Sequence, residues 1–143
     1  MKIALGADHG GYELKEVVKI HLQKEGFTVL DKGTFSCDSV DYPDFAKKVA
    51  ESVLEKESDY GIVICGTGIG ISIAANRFKG IRAALCNNTT MAKLTREHNN
   101  ANVLALGARM TGDVLALDIV DTFLSTGFEG GRHQTRIEKI EIL

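Results

Sequence analysis

The sequence predicts an α/β fold, a Rossmann-like three-layer α/β/α sandwich with a five-stranded parallel sheet and a C-terminal helical extension. Short apolar runs alternate with helical patterns along the chain, which is typical of parallel strands joined by helices. The 143 residues, 44% of them hydrophobic, suffice for one domain with its own core. We therefore expect a single domain over residues 1–143, with a ligand crevice at the carboxyl ends of the strands.

The first half of the chain supplies three strands and two helices. Residues 3–5 predict the first strand, and residues 27–30 predict the second. Between them, residues 13–24 predict a helix whose apolar face consists of Leu14, Val17, Val18 and Leu22. A second helix begins at Pro43, a residue favoured in a first helical turn, and its apolar face consists of Phe45, Ala46, Val49, Ala50, Val53 and Leu54. Residues 62–64 predict the third strand.

The second half continues the alternation. Residues 71–76 predict a short helix that is hydrophobic on nearly every face, and residues 81–85 predict the fourth strand. A helix over about residues 89–98 then leads to a fifth strand over residues 102–106. A long helix over about residues 111–125 completes the predicted α/β core.

The long helix carries more apolar surface than one face of a sheet would cover, at Val114, Leu115, Leu117, Ile119, Val120, Phe123 and Leu124. After it, about residues 127–143 form an extension beyond the sheet. Apolar surface left uncovered in one chain is typical of subunit interfaces. We expect a homodimer, or a dimer of dimers, in which this extension packs on the partner subunit.

Composition excludes several classes of protein. A formal net charge of −2 gives the chain no bulk attraction to nucleic acid or to membranes. No apolar run approaches the roughly 20 residues that cross a bilayer, and residues 1–4 predict a strand rather than a cleavable leader. The three cysteines include no Cys-x-x-Cys pair, which argues against a disulfide framework and against a structural zinc site. We expect a cytoplasmic protein with free thiols.

The most informative motif is Cys-Gly-Thr-Gly-Ile-Gly at residues 65–70, between a predicted buried strand and a predicted helix. Glycines allow the backbone to approach a ligand and to direct successive N–H groups toward negative charge. In that environment we expect Cys65 to lose its proton more readily than a free cysteine. Such turns also occur as plain strand-to-helix connections, and the spacing matches neither a Walker loop nor the dinucleotide fingerprint.

The carboxyl-end rule places further polar residues on the same rim as this motif. Those that follow predicted strands are Asp8, His9, Asp41, Tyr42, Cys65, Thr67, Asn87 and Arg109. Several functional types could therefore converge there although they are distant in sequence. Each one could instead be a solvated or capping side chain, and Asp41 in particular could cap the helix that begins near Pro43.

Residues 98–102, His-Asn-Asn-Ala-Asn, concentrate hydrogen-bonding side chains between the fourth helix and the fifth strand. His98 could act as an acid or base near neutral pH, or it could be a cation favoured at a helix C-terminus. Helix C-termini normally lie on the rim opposite the crevice. A role in the site of the same chain is therefore geometrically awkward for His98, and a second subunit would resolve this difficulty.

Arg132 and Arg136 lie four residues apart on a short predicted helix in the C-terminal extension, so both face the same way. Paired guanidinium groups suit a phosphate dianion, since each can donate two charge-assisted hydrogen bonds. The alternative is a solvated basic face that forms ion pairs with Glu138 or Glu141.

Seven blocks of the chain, in order, resemble the family of ribose-5-phosphate isomerase B and the galactose-6-phosphate isomerase subunits. The blocks span essentially the whole length and cover residues 8–11, 39–44, 65–70, 74–77, 80–84, 98–102 and 130–133. The resemblance implies a Rossmann-like dimer with sites shared between subunits. It also implies interconversion of ribose 5-phosphate and ribulose 5-phosphate in carbohydrate metabolism, without metal or cofactor.

The resemblance also implies a role for each site residue. Matched by position, Cys65 is the proton-transferring base, and His98 opens the sugar ring with help from Thr67. The intermediate would be bound by Asn99 and by the loop residues Gly66, Gly68, Ile69 and Gly70. Asp8 would hold sugar hydroxyls, Tyr42 would line the sugar pocket, and the phosphate would be surrounded by His9, Arg109, Arg132 and Arg136. Some members use a glutamate instead of the cysteine, and this chain resembles the cysteine type.

Three alternatives stay open at the level of sequence. An isomerase of hexose 6-phosphates could use the same machinery, with Tyr42, Asn87 and Asn88 among the residues that set the accepted sugar length. A phosphate- or nucleotide-binding module would keep the glycine loop and the arginines without needing a thiol and an imidazole. A redox sensor would use Cys65 as a peroxide-reactive thiol, yet no resolving cysteine is near it in sequence.

Overall fold

A computed structural model describes all residues, 1–143, as five strands and six helices. In chain order these are β1 (Lys2–Ala7), α1 (Tyr12–Lys24), β2 (Thr28–Asp31), α2 (Tyr42–Leu54), β3 (Tyr60–Cys65), α3 (Ile69–Ala75), β4 (Ala83–Leu85), α4 (Thr89–Asn99), β5 (Val103–Gly107), α5 (Asp113–Ser125) and α6 (Arg132–Glu141). Every predicted element is present, and most bounds differ from the prediction by two residues or fewer. The alternation of apolar runs and helical patterns was therefore a sound basis for the fold.

The strands form one parallel sheet in the order β2-β1-β3-β5-β4. The chain moves outward from β1 to β2, returns across β1 to β3, and then builds the other half of the sheet. Such a reversal opens a crevice outside the carboxyl ends of the strands on either side of it, here β1 and β3. The predicted fold class is confirmed.

Helices cover both faces of the sheet. On one face, α1, α4 and α5 pack over a core that includes Leu22, Leu104 and Phe123. On the other face, α2 and α3 pack over a core that includes Val49, Val63 and Ile71. All six of these side chains are shielded from solvent, as the core of a three-layer fold requires.

Four details differ from the predicted pattern. On α1, Lys15 is fully buried, whereas Val17 is only half-buried. Leu54, predicted on the buried face of α2, is 41% exposed because it lies in the last turn. Asp41 occupies the N-cap position of α2, but its side chain makes no capping hydrogen bond. The fourth strand is also shorter than predicted and begins at Ala83.

Beyond the sheet, α6 packs against α4. The C-terminal end of α6 is bound to the segment that leads into β4 through Glu141, whose carboxylate accepts hydrogen bonds from Arg82 Nη1 at 2.6 Å and from the Gly80 N–H at 3.1 Å. Apolar side chains remain exposed on α3 and α5, namely Ile69, Ile73, Val114 and Leu115. No helix has both the length and the apolar character that a membrane crossing requires.

Candidate active site

Cys65 ends β3 and begins the glycine-rich loop. Its Cα is paired in register with that of Gly107, the last residue of β5. The Gly68 N–H donates a hydrogen bond to Cys65 Sγ over 3.1 Å, and Gly68 adopts a φ of +78°, which favours glycine. The loop therefore turns back so that a backbone N–H dipole points its positive end at the sulfur.

The remaining amides of the loop divide into two groups. The Ile69 N–H donates to Thr67 Oγ1 at 3.1 Å, so this donor is already engaged within the loop. The N–H groups of Gly66, Thr67 and Gly70 make no hydrogen bond within the chain. These three donors are available to an anionic group seated on the loop.

The sulfur itself is sheltered. Cys65 is only 4% exposed and packs with the aliphatic side chains of the α2 and α3 face, whereas its loop neighbour Thr67 is exposed. A group that reacts with this thiol must therefore sit directly on the loop.

Residues that follow β1 lie against the loop. A Cβ built on Gly10 would come 3.3 Å from the Gly66 nitrogen, so the two backbones are in close contact. The Asp8 side chain is buried and accepts a hydrogen bond from the Gly11 N–H at 3.1 Å. His9 Nδ1 accepts a hydrogen bond from the Val40 N–H at 3.1 Å, which leaves Nε2 as the proton-bearing nitrogen of the neutral ring.

Arg109 and Tyr42 complete this rim. The Arg109 N–H donates to the Gly66 carbonyl at 2.9 Å, and a Cβ on Gly66 would lie 3.5 Å from Arg109 Nε. The Tyr42 ring covers Gly70 so closely that a Cβ there would lie 2.6 Å from Tyr42 Cζ. The predicted rim residues Asp8, His9, Tyr42, Cys65, Thr67 and Arg109 are thus brought together at one end of the sheet.

A second group of predicted residues lies elsewhere in the chain. His98 is in the last turn of α4, and its ring stacks on that of His133 with 4.4 Å between ring centroids and 12° between planes. Arg82 donates to the backbone carbonyls of Asn99 and Asn100 at 2.9 and 3.0 Å. This group is therefore built from the end of α4, the start of β4 and the C-terminal helix.

Arg132 and Arg136 are exposed on α6 and form no ion pair. The alternative that they pair with Glu138 or Glu141 is wrong, because Glu138 accepts a hydrogen bond from Gln134 and Glu141 binds Arg82. Both guanidinium groups therefore remain available to an anion from outside the chain.

The two groups lie at opposite ends of the strands: the group around Cys65 at the carboxyl end of β3 and the group around His98 at its amino end. Arg96, one turn before the end of α4, donates from Nη2 to the Tyr60 hydroxyl at 2.9 Å, and Tyr60 begins β3, whereas Cys65 ends it. The five steps of about 3.3 Å between the six residues of β3 separate these ends by roughly 16 Å. Within one chain, His98 and Asn99 therefore do not meet Cys65; the sequence predicted this for His98 from its position at a helix C-terminus.

Sequence reasoning assigned no role to Arg82 or His133. His133 is buried together with Ile137, four residues later, so a helical pattern over α6 would have placed it on the inner face. Arg82 precedes a short apolar strand and carries no comparable signal. Its contacts with Asn99, Asn100 and Glu141 depend on three segments that only the fold brings together.

The fold and the rim define a class: a doubly wound α/β protein with a thiol-bearing, glycine-rich loop at the carboxyl ends of its strands. The model of the ribose/galactose isomerase family matches residues 3–140, and the chain belongs to that family. Ribose-5-phosphate isomerase B of Escherichia coli K12 is 53% identical to the chain over 139 residues, which cover 97% of this chain and 93% of that protein.

Solved structures agree with this assignment. Ribose-5-phosphate isomerase B of Clostridium thermocellum superposes with a TM-score of 0.99 at 60% identity, covering 99% of this chain and 96% of that one. The Thermotoga maritima ribose 5-phosphate isomerase gives a TM-score of 0.98 at 59% identity, with coverages of 99% and 98%. The similarity therefore extends over the whole fold.

Proposed function

We propose that the protein is an aldose–ketose isomerase that interconverts D-ribose 5-phosphate and D-ribulose 5-phosphate in the cytoplasm, without metal or cofactor. The observation that carries the proposal is the loop in which Cys65 Sγ accepts the Gly68 N–H while three neighbouring amides stay available. The assignment of the substrate is supported by relatives that are named ribose-5-phosphate isomerases. These are about half identical to the chain in sequence over nearly its full length.

The reaction removes a proton from the carbon beside the carbonyl and returns it to the neighbouring carbon. Cys65, as thiolate, takes the C2 proton of the open-chain aldose, and the electron pair moves onto the carbonyl oxygen to give a cis-enediolate. The same sulfur then delivers the proton to C1, while the hydroxyl proton of O2 passes to O1, so that O2 becomes the ketone oxygen and O1 the new hydroxyl. A single base serves both steps if the intermediate stays in place.

The glycine loop stabilises the intermediate. Charge develops on the two oxygens of the enediolate, and the N–H groups of Gly66, Thr67 and Gly70, which make no hydrogen bond within the chain, would donate to them. Preorganised donors of this kind act strongly in a site sheltered from water, where removal of one typically costs about 3 kcal/mol of barrier. Asp8, beside the loop, would bind sugar hydroxyls.

Ring opening requires a second functional group, because ribose 5-phosphate is mostly a closed furanose. An imidazole can donate a proton to the ring oxygen and accept one from the anomeric hydroxyl. In this proposal His98 supplies the imidazole, assisted by Thr67. Within one chain, however, His98 and Cys65 lie at opposite ends of the sheet. The proposed enzyme is therefore a homodimer in which His98 and Asn99 of one copy complete the site around Cys65 of the other.

The phosphate would be held by Arg132 and Arg136, which have no partner within the chain, together with Arg109 and His9. Guanidinium groups bind phosphate oxygens through paired, charge-assisted hydrogen bonds. Binding the non-reacting end of the sugar in this way aligns the C1–C2 bond with the thiol, so that binding energy lowers the barrier.

The proposal is tested by assaying chelator-treated protein against a panel of pentose 5-phosphates and hexose 6-phosphates. We expect turnover of ribose 5-phosphate to exceed that of every hexose 6-phosphate. Cys65→Ser should abolish turnover while leaving substrate affinity within a few-fold. Cys86→Ala is the matched control, because Cys86 is also a buried, free cysteine at the carboxyl end of a strand, directly after β4, and it should retain activity.

Three results would contradict the proposal. Preference for a hexose 6-phosphate would show that the substrate is a hexose phosphate, which another branch of the same family isomerises. Binding of sugar phosphates without turnover would indicate a binding module. Full activity in the Cys65→Ser variant would remove the thiol from the mechanism.

A further inference from the structure

His133 is the most deeply buried histidine of the chain, at 7% exposure, and the proposed reaction does not use it. It lies in the first turn of α6, next to Arg132. Its ring lies face to face with the half-buried ring of His98, with a centroid separation of 4.4 Å and nearly parallel planes. The imidazole proposed to open the sugar ring is therefore covered on one face by a second imidazole.

The His133 ring is in turn contacted by the side chain of Glu129. Its Nε2 lies 3.5 Å from a carboxylate oxygen of Glu129, which precedes α6. The Glu129 N–H donates to the Glu97 carbonyl at 3.1 Å, so the segment that leads into α6 is attached to the turn that carries His98. The His133 ring that stacks on His98 is thus restrained by two contacts of Glu129, one to His133 itself and one to the backbone of α4.

The same three side chains, His98, Glu129 and His133, place ligand atoms within 4.8 Å of one another, a set from which metal sites are built. The ring geometry opposes that use. An imidazole nitrogen binds an ion in the plane of its ring at about 2.0–2.1 Å. Two rings only 12° from parallel send their lone pairs side by side rather than toward one shared ion. The arrangement favours stacking over chelation.

We propose that His133 is a positioning residue, whose ring, stacked on His98 and backed by Glu129, holds the His98 imidazole in the orientation that opens the furanose. This inference rests on the proposed function and extends it to a side chain that does not touch the substrate. A positioned acid or base works only within hydrogen-bond distance and at the right angle to its target. The stack restricts rotation of the His98 ring, which makes no hydrogen bond within the chain.

Two substitutions separate stacking from simple filling of the buried space. His133→Phe keeps a flat ring against His98, whereas His133→Leu fills a similar volume with a side chain that cannot stack. We expect His133→Leu to slow isomerisation of ribose 5-phosphate roughly tenfold to a hundredfold, part of what a positioned acid or base contributes. We expect His133→Phe to stay within about threefold of the wild type, because the flat face is retained.

A second measurement isolates the ring-opening step. Ribulose 5-phosphate cannot close to a furanose, because the oxygen that would form the ring carries the phosphate. Exchange of its C1 proton with deuterium from the solvent, followed by NMR, therefore reports enediolate formation by Cys65 without ring opening. We expect His133→Leu to exchange within about twofold of the wild-type rate despite its slow isomerisation, since the thiol and its loop are unchanged. His21→Leu is the matched control, since the His21 ring contacts Asp121 and neither residue has a role in the proposed reaction, and both of its rates should match the wild type.

The inference is overturned if His133→Leu lowers exchange as much as isomerisation, which would indicate general damage to the site. It is also overturned if His133→Leu isomerises at the wild-type rate, or if His133→Phe is as slow as His133→Leu. A wild-type protein that fails to isomerise ribose 5-phosphate contradicts the proposed function itself. The two failures are therefore distinguishable.

Discussion

Gly107 faces the Thr67 peptide so closely that a Cβ built on Gly107 would lie 2.4 Å from the Thr67 carbonyl oxygen. Gly68, in turn, packs against the backbone of residues 106 and 107. The catalytic loop proposed here is therefore pressed onto the end of β5, and two glycines make that contact possible. The position of the loop depends on β5 as much as on β3.

This contact predicts that Gly107→Ala displaces the loop. A methyl group meets backbone atoms, which cannot turn aside as a flexible side chain could, so Thr67 and the free amides must shift. We expect kcat to fall at least about tenfold, because an ångström of misplacement is costly in a preorganised site. Steady-state kinetics with ribose 5-phosphate will measure the fall in kcat. Gly112→Ala is the control, since a Cβ there meets nothing within 4 Å, and an unchanged Gly107→Ala enzyme would contradict the expectation.

A shared site predicts complementation between inactive variants. Cys65→Ala and His98→Ala proteins should each be inactive, but mixed dimers contain one intact site. After co-refolding of equal amounts, half of the dimers are mixed and half of their sites are intact, so about a quarter of the wild-type activity should return.

The control for complementation is a mixture of Cys65→Ala with Thr67→Ala. These two residues lie on the same loop, so every site in a mixed dimer keeps one defect and activity should not return beyond that of the parents. Equal recovery in both mixtures, or no recovery in the first, would argue against His98 acting across subunits.

Substitution of the α6 arginines should weaken binding more than it slows turnover. Arg132→Ala and Arg136→Ala each remove a charged donor from the phosphate, and we expect KM to rise roughly tenfold to a hundredfold, as a lost charge-assisted hydrogen bond predicts. Folding should be unaffected because both side chains are exposed. Lys139→Ala removes an exposed charge from the same helix and serves as the control. A fall in kcat with unchanged KM would exclude the phosphate role.

The buried ion pair between Lys15 and Asp31 should dominate the acid stability of the α1–β2 corner. Burial acts to raise the pKa of Asp31, but hydrogen bonds from Lys15, the Gly33 N–H and Lys19 outweigh it and lower that pKa below its ordinary value of 3.8. A lowered carboxyl pKa stabilises the fold above the pKa of the unfolded chain. That contribution disappears as the pH falls through the folded-state pKa.

Asp31→Asn should therefore lower the free energy of unfolding by about 3 kcal/mol at pH 7, since Lys15 is fully buried and loses its main partner. Urea titrations should show this difference shrinking as the pH falls below about 4. Glu51→Gln, which breaks an exposed pair with Lys47 over 3.9 Å, should change the free energy by less than about 0.5 kcal/mol. A difference that persists unchanged in acid would contradict the assignment.

The sequence by itself determined the succession of strands and helices and the rim around Cys65. Apolar periodicity marks buried faces because burial of apolar surface drives folding, and parallel strands bring their following residues to one edge. Asp8, Cys65 and Arg109 could be placed together on that ground alone. The periodicity could not show that Lys15 takes a buried place on α1, because its ion pair with Asp31 depends on the neighbouring strand.

Only the tertiary structure decided how the second group of residues is assembled. Contacts such as the stack of His133 on His98, or the hydrogen bonds from Arg82 to Asn99 and Asn100, join segments that no local pattern relates. The stack depends on how α6 packs against α4, and the Arg82 contacts depend on how the start of β4 approaches the end of α4. Side-chain packing rather than propensity sets both. The separation of His98 from Cys65 within one chain follows instead from the parallel topology, which puts the C-terminus of α4 at the end of the sheet away from Cys65, and it is the physical reason for proposing a second subunit.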